Sequence, residues 1–293
     1  MEIPSFNSLI EKSIIKNWQD DALTDFKGAT LQYHDVARKI EKLHILFENS
    51  GLQKGDKVAL CGRNSASWAV AFLATLTYGA VAVPILHEFT ADQIHNIVNH
   101  SEAKLLFVGD YVATIIDATK MPDLEGIIYI PDYSLLISRT DSLTYAREHL
   151  NEMFGKKYPK YFRKEHVQYY KEQNPDELAL INYTSGTTGF SKGVMIPYRA
   201  LWSNYDFAKH VMSDAVKPLS NIISILPMAH MYGMSFEFLF EFLHGCHVFY
   251  LTRVPSPAII AKAFAEVKPA IIIAVPLVIE KIIRKRVFPK IQN

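Results

Sequence analysis

Cysteine is nearly absent from this sequence. Cys61 and Cys246 are its two cysteines, far apart and at no metal-binding or redox spacing. Neither a disulfide framework nor a zinc site is expected, and reduced thiols in a cytoplasmic protein are. A surplus of charge of either sign is also missing. There are 31 Lys and Arg against 30 Asp and Glu, a formal net charge of +1, so no global field argues for a nucleic-acid partner. The opening residues Met1-Glu2-Ile3-Pro4-Ser5 have neither a basic start nor an apolar core and are not expected to act as a signal peptide. No internal repeat is visible.

What is present is an ordinary globular balance, 49% hydrophobic and 21% charged over 293 residues, enough for one large domain or two smaller ones. One stretch, 64–87, carries no Lys, Arg, Asp or Glu and is long enough to cross a bilayer. Its composition is Ala, Thr and Gly rather than Leu and Ile, and Gly79 interrupts it. Beyond Gly79, Ala80-Val81-Ala82-Val83-Pro84 reads as a short strand closed by proline. A buried helix followed by a buried parallel strand is therefore predicted, and no transmembrane span.

Elsewhere helical and strand patterns alternate. Ser8-Leu9-Ile10-Glu11 has the form of a capping box, opening a helix with Ile10, Ile14 and Trp18 on one face. A strand pair is predicted around Gly28, then a helix bearing Val36, Ile40, Leu43 and Phe47 that ends at Gly51. Strands follow at 57–61, 104–108 and 127–130, with a helix at 92–99. After Pro175, strands at 178–183, 221–226, 246–251 and 270–275 alternate with helices at 198–212, 232–243, 257–267 and 277–287. Glu237 and Glu241, four apart, are predicted to share one helical face, leaving the rest apolar and buried. The expected fold class is α/β, layered subdomains with mostly parallel sheets covered by helices. Its halves fall at about 1–150 and 175–293, separated by a basic and aromatic stretch. There Lys156, Lys157, Lys160, Arg163 and Lys164 are interleaved with Tyr158, Tyr161 and Phe162. Such a pattern suits single-stranded nucleic acid or a membrane surface, although nearby Glu165, Glu172, Asp176 and Glu177 make a solvated connection the expectation.

The chemistry is concentrated in Tyr183-Thr184-Ser185-Gly186-Thr187-Thr188-Gly189-Phe190-Ser191-Lys192-Gly193-Val194, directly after a buried strand. Glycine lets successive backbone N–H groups turn inward as an anion-binding nest. Thr184, Ser185, Thr187 and Thr188 add hydroxyls, and Lys192 adds a cation. A polyphosphate is recognised by that combination. The common NTPase loop has Gly before its Lys and Ser or Thr after it; here Ser191 precedes Lys192 and Gly193 follows. The residues beyond, Val194-Met195-Ile196-Pro197, are strand-like, so an exposed loop between two strands is predicted, with Lys192 at the start of the second.

The stretch closely resembles the phosphate-binding signature of the acyl-adenylate-forming superfamily, which includes acyl-CoA synthetases, firefly-type luciferases and peptide-synthetase adenylation domains. The family pattern usually has proline where this chain has Ser191, a departure that removes no donor. A second similarity is Ile225-Leu226-Pro227-Met228-Ala229-His230-Met231-Tyr232-Gly233, where in the family a strand ends and the acyl pocket begins. The resemblance implies that Thr184, Ser185, Gly186, Thr187, Thr188, Gly189 and Lys192 hold the β- and γ-phosphates of ATP. It implies that His230, with Met231, Tyr232 and Gly233, meets the acid substrate, Lys192 and His230 being the catalytic pair. Met234, Phe238 and Leu239 are candidates for an acyl tunnel or for core packing, and Val275-Pro276 is a weaker match near the nucleotide site.

What the resemblance implies overall is part of the large N-terminal domain of an AMP-forming ligase, most like a long-chain fatty acid–CoA ligase. Its partners would be ATP, Mg²⁺, CoA and a fatty acid, with peripheral contact at the inner face of the membrane and no nucleic acid. Several family features lie downstream of this stretch, among them the Tyr-Gly-x-Thr-Glu segment with its metal-binding Glu. No such string occurs here; Tyr78-Gly79-Ala80 and Tyr232-Gly233-Met234 are different. Residues 1–293 alone are thus expected to be inactive. An aryl-CoA ligase, an amino-acid adenylation domain and a noncatalytic nucleotide-binding protein of the same fold are the alternatives.

Overall fold

The computed structural model describes residues 3–184, 192–252 and 257–276, together with residues 280 and 284. Helix α1 spans Phe6–Lys16, and its N-cap is Ser5, whose hydroxyl accepts from the Ser8 N–H at 3.2 Å. The capping box predicted at Ser8 and Glu11 does not form. The helix begins at Phe6, which is fully buried, so the capping position falls at Ser5 and not at Ser8. Glu11 instead accepts from the Tyr169 N–H at 3.0 Å and pairs with Lys171. Trp18 lies past the helix end. Strands β1, Asp21–Asp25, and β2, Thr30–Gln32, form the predicted antiparallel pair. Helix α2, Tyr33–Ser50, buries Val36, Ile40, Leu43 and Phe47 and ends on Gly51.

Strand β3 is Lys57–Cys61, helix α3 is Ala66–Tyr78 and strand β4 is Val81–Ile85. The uncharged stretch is therefore a buried helix and a fully buried parallel strand, as its composition predicts. Among the described residues no helix is long and apolar enough to cross a membrane. Gly79 caps α3 at φ 87°, and a Cβ there would also meet the Tyr170 ring at 2.8 Å, so both backbone and space demand glycine. Pro84 sits inside β4 rather than closing it. It has no N–H to give, and the ladder between β4 and the strand beyond is registered at Ala82↔Leu180 alone.

The chain continues through α4 (Ala91–Ser101), β5 (Ala103–Val108), α5 (Asp110–Ile115), β6 (Gly126–Tyr129) and β7 (Leu135–Ser138). Then come α6 (Asp141–Glu148), α7 (Leu150–Lys157), β8 (Leu178–Thr184), β9 (Lys192–Pro197), α8 (Tyr198–Met212) and β10 (Asn221–Ser224). Helix α9 (Met231–Met234) runs through a π-helical stretch, Ser235–Leu239, into α10 (Phe240–His244), and β11 (His247–Tyr250) and α11 (Pro257–Val267) follow. The strand predicted at 270–275 does not form. Ala270 donates one bond to the Asn221 carbonyl at 2.9 Å, and residues 271–275 join no ladder. The helix predicted at 277–287 falls almost wholly outside the described residues.

Two sheets result. The larger has the order β7-β6-β5-β3-β4-β8-β9, parallel inside and antiparallel at both edges; the smaller has the order β10-β11-β1-β2. Both draw strands from both parts of the chain. Helix α3 has no exposed residue among its apolar ones and lies in the main core with Trp68, Phe72 and Leu73. The parallel strands consequently end on one side of the large sheet, where the motifs of interest begin.

Candidate functional site

Strand β8 is buried along its length and emerges at exposed Thr184. Strand β9 starts at Lys192, paired directly with Thr184, so two antiparallel strands flank the signature with Lys192 at the start of the second, as predicted; the exposed loop predicted between them lies outside the described residues. Ser185, Gly186, Thr187, Thr188 and Gly189 lie outside the described residues. The Tyr183 hydroxyl and His100 Nδ1 are 2.7 Å apart, tying the end of β8 to α4.

The second motif is a turn held from three directions. Asn64, just past β3, donates to the Leu226 carbonyl at 2.7 Å and accepts from the Met228 N–H at 2.9 Å. Asn182 of β8 donates to the Ala229 carbonyl at 2.9 Å. The Glu237 carboxylate accepts from the N–H groups of Ile225 and Leu226 at 2.9 and 2.7 Å. Gly233 is required by close approach, since a Cβ would stand 2.6 Å from the Pro227 carbonyl oxygen. His230 caps α9 with Nδ1 accepting from the Tyr232 N–H at 3.2 Å. That contact uses the Nδ1 lone pair, so the neutral ring carries its proton on Nε2.

Glu237 and Glu241 do not form a solvated face. Both are fully buried, with Glu237 Oε1 and both Glu241 oxygens lacking any hydrogen-bond partner. Burial pushes the Glu237 carboxyl up to about 8 against the pull of its two N–H donors. Burial, and then the neighbouring Glu237, drive Glu241 well above the usual carboxylate range. Met234, Phe238 and Leu239 are core residues. Tyr232, two residues past His230, joins half-buried Phe236 (ring centroids 5.4 Å apart), which meets Phe207 (6.1 Å), in an apolar strip where Tyr232 and Phe207 are 41% and 59% exposed.

The two motifs meet. A cavity of about 310 Å³ is lined by Asn182, Thr184, Val194, Ala229, His230 and Met231 among others. Tyr232 and Gly233 are on the adjoining helix but not on its wall. Its polar groups are hydroxyl, amide and imidazole, which suit a phosphate or a carboxylate. No carboxylate lines it, and among the described residues no cluster of His, Cys, Asp and Glu gathers that would hold a metal. These residues therefore do not by themselves fit a Mg²⁺ site. A larger cavity, about 650 Å³, opens past β3, β5 and β6 beside Asp25, Arg63, His87 and Asp110 and shares no residue with the first. Asn64 and Asn182 are not among the residues singled out from sequence, and Glu237 is singled out there only as part of a helical face. Asn64 follows a strand end, and Glu237 is an acid flanked by aromatics, a weak signal in each case.

A family model described as AMP-binding enzyme matches residues 11–292. The long-chain-fatty-acid–CoA ligase of Bacillus subtilis is 24% identical over 260 residues, covering 80% of this chain and 44% of the relative. In fold, the chain is similar to a red-emitting luciferase from Phrixothrix hirtus (TM-score 0.74, 18% identity, 92% of this chain and 50% of that one). It is likewise similar to a long-chain-fatty-acid-CoA ligase from Archaeoglobus fulgidus (TM-score 0.70, 18% identity, 92% and 50%). The chain thus spans about half the length of the proteins it matches. With the match running over nearly all its residues and the signature hairpin facing the His230 turn across one cavity, this chain belongs to the AMP-binding enzyme family.

Proposed function

We propose that the whole protein is an AMP-forming acid–thiol ligase that activates a long-chain fatty acid with ATP and passes the acyl group to CoA. The observation that carries it is the meeting of Thr184 and His230 in one cavity, with Lys192 paired to Thr184. In this reading the hairpin loop and Lys192 hold the phosphates, while the His230 Nε2–H donates to the substrate carboxylate. The loop ammonium would be most useful where charge redistributes as pyrophosphate leaves. The apolar strip of Tyr232, Phe236 and Phe207, which starts two residues past His230, favours a fatty acid over an amino acid. Mg²⁺ would need ligands beyond the described residues.

The same reading has the enzyme in the cytoplasm, in peripheral contact with the inner face of the membrane. It also has residues 1–293 inactive alone, because adenylation draws on groups that act as a unit. Acid-dependent ATP–pyrophosphate exchange by the whole protein tests the proposal. Exchange with long-chain fatty acids is expected. Exchange with aryl acids or amino acids only would replace the substrate, and none with any acid would make this a noncatalytic member.

A further inference from the structure

The basic and aromatic stretch after α7 is not a featureless connection. It folds against α2 and encloses a groove of about 880 Å³ whose lining includes Trp18, Arg38, Lys42, Phe154, Lys160 and Tyr161 and no carboxylate. We propose that this groove docks the protein on an anionic lipid surface. The proposal deepens the peripheral membrane contact of the preceding reading, yet it stands on surface chemistry and needs no turnover for its test.

The charge is uncompensated locally. Among the described residues Arg38, Lys42 and Lys160 have no carboxylate within ion-pair distance. Two neighbouring acids are taken up by Lys156, Lys157 and Tyr158. Buried Glu41 is 2.8 Å from both the Lys157 ammonium and the Tyr158 hydroxyl, and Glu152 pairs with Lys156 at 2.6 Å. Arg38 and Lys42 stand over the buried Phe154 ring at 5.4 and 5.3 Å. The Lys42 ammonium donates to Asn151 Oδ1 at 2.7 Å, and burial first, then the cations of Arg38, Lys39 and Arg147, hold it below its ordinary value.

The rings decide between partners. Trp18, Phe154, Tyr158 and Phe162 pack on one another with centroids 4.9–6.2 Å apart. Tyr161 is different: it is 71% exposed, with the Arg163 guanidinium 5.9 Å from its ring. A single-stranded nucleic acid needs successive free rings on which to stack, and of these five rings Tyr161 alone is exposed. One exposed phenol ringed by Lys and Arg is instead the composition of an interfacial anchor facing anionic headgroups.

Co-sedimentation of the 293-residue chain with vesicles tests this. Binding is expected to phosphatidylcholine vesicles containing about one-third phosphatidylglycerol, to weaken at high salt, and to be absent with phosphatidylcholine alone. The double variant Arg38→Gln/Lys160→Gln should lower partition about 30-fold, and Tyr161→Ser by less. All three side chains are exposed, so an unchanged unfolding temperature checks that the variants fold. Lys12→Gln/Lys209→Gln removes the same charge from exposed positions elsewhere and should leave binding intact. Equal loss in that control, no loss in the groove variant, or tighter binding to oligothymidylate than to the vesicles would each overturn the proposal.

Discussion

Two buried helical runs meet in the main core of this molecule, and they are built on opposite terms. Helix α3 contains no ionisable group before Tyr78, and its buried hydroxyls are satisfied within the helix: Thr75 donates to the Ala71 carbonyl at 2.8 Å and Thr77 to that of Leu73 at 2.6 Å. The run Met231–His244, buried from Gly233 to Leu243 except for half-buried Phe236, carries Glu237 and Glu241, three of whose four carboxyl oxygens have no partner. It also breaks into a π-helical stretch around Glu237, a form frequent at functional sites. Helix α3 fills space. The second run holds the turn that presents His230, and it tolerates buried carboxyls that would be costly in a merely structural helix.

That contrast can be broken most visibly by pH. The folded-state value for Glu237, about 8, stands above its ordinary 4.5, so the folded chain retains a proton that the unfolded chain releases. The associated stability is complete below about pH 4.5 and is lost as pH rises through 8, on the order of 5 kcal/mol in all. Glu237→Gln keeps an oxygen for the Ile225 and Leu226 N–H groups and should flatten this part of the profile. Urea unfolding at several pH values measures it, and an unchanged slope in the variant would show that Glu237 does not titrate there.

Leu73→Ala in α3 sharpens the comparison from the other side. Leu73 is fully buried, so its truncation should lower unfolding free energy by about 3 kcal/mol. Because α3 holds no such acid, the loss should be the same at every pH. A smaller effect is expected for Asn64→Ala, about 1–2 kcal/mol for the bonds to Leu226 and Met228. Amide exchange at Met228 should accelerate in that variant; if it does not, Asn64 is not what fastens the turn.

Much of this was legible in sequence, and the rest has physical reasons for being hidden. Lys192 begins β9, and α8 and α11 occupy the predicted residues, because strong local periodicity and Pro197 and Pro257 mark them. The pairing of β1 with β11, which joins the β1–β2 hairpin to β11 and β10, is a long-range choice with no local mark. Glu237 and Glu241 mislead because an i, i+4 pair of acids looks like a solvated stripe, whereas here one of them serves the backbone of another element. Ser8 misleads because Ser5 offers the same hydroxyl where Phe6 needs burial. Among the site residues, Thr184, Lys192 and His230 were identified from their motifs, while Asn64 and Asn182 were not, since buried amides that brace a turn have no spacing rule.

The central claim is that the Thr184–Lys192 hairpin and the His230 turn form one adenylation site. It is tested most directly by fatty acid-dependent ATP–pyrophosphate exchange in the whole protein carrying Lys192→Ala. A fall in rate of about 10–1000-fold, with affinity for the fatty acid little changed, is the predicted result. An exchange rate equal to that of the unaltered protein would contradict it.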